Sequence, residues 1–248
     1  MKSTERFTGH AGDYEAGRPS YPDEALDALF EGFADPTQLT VVDLGAGTGI
    51  SSRLLAARGA TVIAVEPNAA MRAQAASSAN LTLQAGTAED TGLPTGCAAL
   101  VTAFQAFHWF DEAPALREIE RLLRPGGRAA VIYNERDESD LFTNAYGELV
   151  RRFATDGTER CRSDGRTAFS AWPGWHAVRV VETRNQQLLD GARLHARAGS
   201  TSYLPREGAA AAALHASIDE LFHEYANAGT VTMRMVTNVI IADTAERP

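Results

Sequence analysis

Between residues 40 and 133, short apolar runs alternate with amphipathic stretches. Residues 40–44, 61–65, 81–85, 100–104 and 128–133 are apolar, partly β-branched and too short for helices, so they predict buried strands. Between them, residues 49–58, 68–78 and 113–123 carry apolar side chains at helical spacing, with Gly59 and Pro125-Gly126-Gly127 as stops. Upstream, Asp23 follows Pro22 as an N-cap, and Leu26, Leu29, Phe30 and Phe33 share one face of a helix over 23–33. Strands alternating with helices predict an α/β fold, a doubly wound parallel sheet with right-handed crossovers.

After residue 134 the rhythm changes. Residues 138–154 predict a helix, 155–167 a loop, and Phe169, Trp172, Pro173, Trp175 and His176 cluster as aromatics. A strand over 178–189, helices over 190–198 and 207–226, and a last strand over 231–242 follow. In that last strand Val231, Met233 and Met235 alternate with Thr232 and Arg234, which predicts a half-exposed edge at its start. The expected sheet is seven-stranded and mostly parallel with an antiparallel edge strand. The expected organisation is a single domain over 1–248. It has an N-terminal arm (1–22), a ligand-binding core (38–134) and a partly helical cap (135–176 and 190–228).

Composition narrows the classes. In 248 residues the net charge is −9, with 44% hydrophobic and 22% charged residues. An acidic chain without a basic cluster argues against nucleic acid as a partner. No apolar run is long enough for a bilayer, so no membrane partner is expected. Lys2 is the only lysine, which removes lysine chemistry from the folded domain. Cys97 and Cys161 form no C-x-x-C pair, and His10, His176, His195, His215 and His223 are scattered without ligand spacing. No metal site is expected, and the plain reading of the cysteines is a reducing, cytoplasmic setting.

In a doubly wound sheet, ligands bind at the carboxyl ends of the strands. There the chain places Asp43-Leu44-Gly45-Ala46-Gly47-Thr48-Gly49, then Glu66, then Thr87-Ala88-Glu89, then Gln105 to Trp109. The glycine turn departs from the dinucleotide fingerprint, because Ile50 stands where its third glycine belongs. That disfavours a nicotinamide oxidoreductase. Glu66 is placed to accept hydrogen bonds from ribose hydroxyls. Asp43 has two open roles, orienting the turn or meeting a ligand's amino end through water. Met71 stands between core and ring contact.

The D-x-G-x-G-x-G turn resembles the first motif of class I S-adenosylmethionine-dependent methyltransferases. With it come Val65-Glu66-Pro67-Asn68-Ala69-Ala70-Met71, Gln105-Ala106-Phe107-His108-Trp109-Phe110 and Leu122-Leu123-Arg124-Pro125-Gly126-Gly127. These, with Tyr14-x-x-x-Arg18-Pro19-x-Tyr21-Pro22 and Ser202-Tyr203-Leu204-Pro205, are similar to the "type 11" small-molecule group that includes trans-aconitate-like enzymes. One departure is Ala99, where the group often has an acid before the fourth strand.

The resemblance implies a Rossmann-like fold and S-adenosyl-L-methionine as methyl donor. Gly45, Ala46 and Gly47 would lie against its methionine portion, and Glu66, with Pro67, would hold the ribose. Met71, Thr87, Ala88 and Glu89 would border the adenine, and Phe104 and Gln105 would face the amino group. Tyr14 and Arg18 would fold over it, Arg18 as partner of the carboxylate. The expected partner is a small-molecule acceptor, methylated on O or N by in-line displacement. Tyr21, His108, Trp109, Trp172, Trp175 and Tyr203 are its candidate contacts. His108 is either a general base or a positioning group. Trp172 and Trp175 either line an aromatic acceptor pocket or pack the cap. A carboxyl O-methyltransferase of the trans-aconitate kind and a non-catalytic S-adenosylmethionine-binding protein are the alternatives. Oligomeric state is open.

Overall fold

The computed structural model describes residues 18–75, 78–155 and 165–245. Pro22 precedes helix α1 (Asp23–Phe30), whose Ala25, Leu26, Leu29 and Phe30 are buried. The alternating segment then yields β1 (Thr40–Leu44), α2 (Ile50–Ala57), β2 (Thr61–Val65), α3 (Ala69–Gln74), β3 (Leu81–Gln84), β4 (Ala98–Phe104), α4 (Glu112–Leu122) and β5 (Leu123–Arg136). The later segment adds α5 (Leu141–Phe153), α6 (Arg166–Ser170), β6 (Ala177–Leu189), α7 (Gly191–Gly199), α8 (Gly208–Tyr225) and β7 (Val231–Asp243).

The strands form one seven-stranded sheet in the order β3-β2-β1-β4-β5-β7-β6. The first five are parallel, and β7 runs antiparallel to both β5 and β6. Successive strand residues feed opposite faces. Val41, Val62, Leu100 and Ile132 join the core under α1 and α2, while Val42, Val101 and Val131 join the core under α4 and α6. Chain order reverses between β1 and β4, which opens a crevice at their carboxyl ends.

Two differences from the sequence expectation bear on the cap and the cleft. The start of β7 is not an edge: it pairs with β6 from Leu189↔Val231 onward, and β6 is the outer strand. Its alternation has another cause. Val231, Met233 and Met235 pack into a third core built by α5, α7 and α8, and that core is the cap. The second difference is β5, expected over 128–133. It starts at Leu123, because pairing passes from Ala98↔Leu123 to Leu100↔Arg128 and Pro125-Gly126-Gly127 is absorbed as a register shift. It ends at Arg136, because Asn134, Glu135 and Arg136 pair with Thr237, Val236 and Met235. That polar extension reaches past the sheet core toward the cap.

Candidate active site

The turn after β1 is set by glycines in left-handed backbone: φ is +67° at Gly45, +59° at Gly47 and +79° at Gly49. At Gly45 close approach adds to this, since a Cβ there would lie 2.7 Å from the Ala106 Cβ. The amides of Gly45 and Ala46 donate to the Val65 carbonyl at 2.9 and 3.1 Å, tying the turn to the end of β2.

Asp43 anchors the turn from below. It is fully buried and lines neither of the cavities described next. Its carboxylate accepts hydrogen bonds from Ser51 Oγ and Ser52 Oγ (2.6 Å each) and from Thr102 Oγ1 (2.9 Å). Burial raises its pKa, and the three hydroxyls oppose that rise. Of the two roles left open, the geometry is that of a residue orienting the turn.

Glu66 lies at the end of β2. Its Oε2 accepts from the Gly47 amide (2.9 Å) and its Oε1 from the Asn68 amide (2.8 Å). The Asn68 side chain in turn caps α3. Two of the roughly four lone-pair directions of the carboxylate are thereby used. Burial raises its pKa, opposed by those two amides and by Arg72.

Two cavities meet along this crevice. The smaller, about 200 Å³, is lined by Gly47, Glu66, Pro67, Asn68, Met71, Thr87, Ala88, Glu89, His108 and Trp109. The larger, about 350 Å³, is lined by Tyr21, Ala46, Thr48, Tyr133, Asn134, Arg136, Glu138, Tyr146 and Arg197. Arg18, Gly45, Phe104, Gln105, Thr201 and Tyr203 belong to both walls. Gln105 sits at their junction in left-handed backbone, φ +52°, which costs a non-glycine residue about 1–3 kcal/mol. Its amide donates to Ile132 O (2.8 Å) and its Nε2 to Asn134 O (2.9 Å), which holds that conformation.

The predicted residues divide cleanly. Arg18, Gly45, Ala46, Gly47, Glu66, Pro67, Met71, Thr87, Ala88, Glu89, Phe104, Gln105, His108, Trp109, Tyr21 and Tyr203 line one or both cavities. Met71 is at once buried and part of the smaller wall. Arg18 donates to Ser200 O (3.3 Å), and Tyr21 meets Phe104 edge to face at 4.7 Å. Asn134 and Asn185 both donate to Ser20 O, pinning this end of the arm to β5 and β6. Tyr14 lies outside the described residues. Trp172 and Trp175 line neither cavity. Their indole nitrogens donate to Glu120 Oε2 (2.9 Å) and Phe169 O (2.6 Å), and both rings pack against the core under α4. The His108 ring lies tilted beside Trp109, centroids 4.7 Å apart, and borders only the smaller cavity.

Sequence reasoning missed the cap-side wall: Asn134, Arg136, Glu138, Tyr146 and Arg197. Arginine supplies nearly all the positive charge of this chain, so Arg136 and Arg197 carry no signal of their own. Thr201 and Ser202 were within reach, since they abut the quoted Tyr203 motif.

A family model described as a methyltransferase domain matches residues 42–131. An uncharacterised methyltransferase of Mycobacterium tuberculosis is 42% identical over 148 residues, 59% of this chain and 59% of the relative. The chain therefore spans about three fifths of that relative's length. An uncharacterised methyltransferase of Schizosaccharomyces pombe is 29% identical over 226 residues, 87% of this chain and 86% of the relative. Among solved structures, a protein assigned to the type II methyltransferases from Anaeromyxobacter dehalogenans superposes with a TM-score of 0.70 at 25% identity, covering 93% of this chain and 99% of that one. Residues 42–131 thus match a methyltransferase domain, and in sequence and fold the chain is similar to these methyltransferases.

Proposed function

We propose that this protein transfers a methyl group from S-adenosylmethionine to an O or N atom of a small molecule. The observation that carries the reading is the donor-side cavity. Glu66 lines it with acceptor capacity to spare, opposite a slot walled by Met71, Thr87, Ala88 and Trp109. A carboxylate of that kind suits a ribose diol, and an apolar slot with a few polar edges suits an adenine. Gly45 and Ala46 line the other cavity where the two meet, so a methionine portion lies along the turn with Arg18 as partner for its carboxylate.

Bound S-adenosylmethionine supplies an electrophilic methyl carbon already activated by its sulfonium charge. The chain's task is to orient the acceptor and to exclude water. Tyr21, Tyr133, Tyr146 and Tyr203 give the larger cavity walls that can do both. His108 borders the donor-side cavity alone, which favours a positioning role over that of a base. A carboxyl O-methyltransferase remains the narrower alternative, and a binding protein without turnover the third.

Calorimetry tests the reading. The protein is expected to bind S-adenosylmethionine and S-adenosylhomocysteine but not NAD, and Glu66→Ala to weaken both by about 10- to 100-fold, the value of one or two charge-assisted hydrogen bonds. Equal affinity in Glu66→Ala refutes the donor site. A metabolite panel read by mass spectrometry then separates turnover from binding alone. With an acceptor in hand, His108→Gln should lower kcat with an unchanged pH profile if it positions. A lost pH limb makes it the base.

A further inference from the structure

The cap side of the cleft carries a charge arrangement that methyl transfer itself does not require. Arg197, on α7, lines the larger cavity. Its Nη1 donates to Gln187 Oε1 (2.6 Å) and its Nη2 reaches Met235 Sδ (3.7 Å). Both partners are neutral, and among the described residues no carboxylate forms an ion pair with it. Its remaining exposed surface faces the cavity, while burial, with Arg18 and Arg136 as like charges, brings its pKa down to about 10. It therefore stays charged at neutral pH. A charge held away from bulk water without an opposite partner is expensive, and an oxyanion in the cavity offsets that cost.

The surroundings agree. Arg136 lines the same cavity. Two acids do as well, but Glu135 pairs with Arg166, and Glu138 pairs with Arg151 at 2.6 Å and Arg136 at 3.6 Å. In the same cavity lining the Thr48 hydroxyl is buried and has no hydrogen-bond partner among the described residues.

We propose that Arg197, with Arg136 beside it, binds a carboxylate or phosphate monoester on the methyl acceptor. The inference rests on the donor reading, because the donor's place along the glycine turn leaves this cavity for the acceptor. A planar guanidinium takes such a group through two parallel hydrogen bonds. Oxygens engaged that way are poor nucleophiles, so this group anchors the molecule and the methylated atom lies elsewhere on it.

The test is calorimetry on the full chain, with and without saturating S-adenosylhomocysteine, in a buffer free of competing anions. The probes are succinate, citrate, inorganic phosphate and phosphoethanolamine, with dimethyl succinate as the uncharged control. At least one anion is expected to bind and the diester not. Arg197→Gln should weaken the anion about tenfold or more, while S-adenosylhomocysteine affinity stays within about twofold. Arg197→Lys keeps the charge without the fork, and is expected to weaken the anion about three- to tenfold. It decides the matter if the glutamine variant does not fold. The proposal is overturned if no anion binds, if both variants bind it like wild type, or if Arg197→Gln loses S-adenosylhomocysteine instead, which assigns the arginine to the donor's carboxylate. If the wild type binds no S-adenosylhomocysteine the donor reading falls separately, and the arm without it still decides whether Arg197 holds an anion.

Discussion

Two glycines in one turn are expected to fail in different ways when each becomes alanine. At Gly45 the backbone φ is +67°, and the new Cβ would stand 2.7 Å from Ala106 Cβ and 3.3 Å from the Phe110 ring. A left-handed alanine costs about 1–2 kcal/mol. Ala106 is buried and its Cβ is fixed to the backbone, so relief needs a main-chain shift, an overpacking cost of about 1–3 kcal/mol. Gly45→Ala should therefore lose about 2–5 kcal/mol, or about 4–20 °C in Tm at roughly 2–4 °C per kcal/mol for a chain of this size. At Gly47 φ is +59° but a Cβ meets no protein atom within 4 Å. Only the backbone cost of about 1–2 kcal/mol applies to folding. The added methyl instead stands on the wall of the donor-side cavity, and S-adenosylhomocysteine affinity should fall about 10- to 100-fold. Urea or thermal unfolding reads the first effect and calorimetry the second. Gly47→Ala with wild-type affinity, or Gly45→Ala as stable as Gly47→Ala, refutes the reasoning.

Two other outcomes concern the scaffold. Asp43→Ala leaves the hydroxyls of Ser51, Ser52 and Thr102 without their common acceptor; urea unfolding should show a loss of about 2–4 kcal/mol, and Asp43→Asn a smaller one. Glu118 is held by Arg121 (2.6 Å) and by Thr91, and its pKa is lowered to about 2. The folded state thus binds this proton less readily than the unfolded chain, so the stabilisation is full above the ordinary glutamate pKa and drains away as pH falls from about 4.5 toward 2. Denaturant midpoints at pH 6 and pH 3 should differ less in Glu118→Gln than in wild type, and an equal difference removes Glu118 from that role.

The donor side was legible because it is local. A strand, its glycine turn and the next helix are contiguous, so Gly45, Gly47, Glu66, Thr87 and Gln105 fall at strand ends once the strands are placed. Aromatic content misled at Trp172 and Trp175. Size and polarity say that such rings are buried with a partner for each indole N–H, but the partners turned out to be Glu120 and the Phe169 carbonyl, away from the cleft. The histidines show the same limit. His195 and His215 lie 20 positions apart, yet their rings stack at 4.9 Å and His195 reaches Asp219 at 2.7 Å.

By itself the sequence determined the alternation of strand and helix, the crevice where chain order reverses, and the wall built there by Gly45, Gly47, Glu66 and Gln105. Each follows from side-chain periodicity or from glycine's access to positive φ, which act over a few residues. Only the tertiary structure decided the opposite wall. Arg136 reaches the cleft because β5 continues past its apolar run by pairing with β7. Arg197 reaches it because α7 docks on a cap core shared with α5, α8 and the start of β7. Those placements depend on register and packing between segments about 20 to 100 residues apart, which leave no trace in the local pattern of apolar and polar positions.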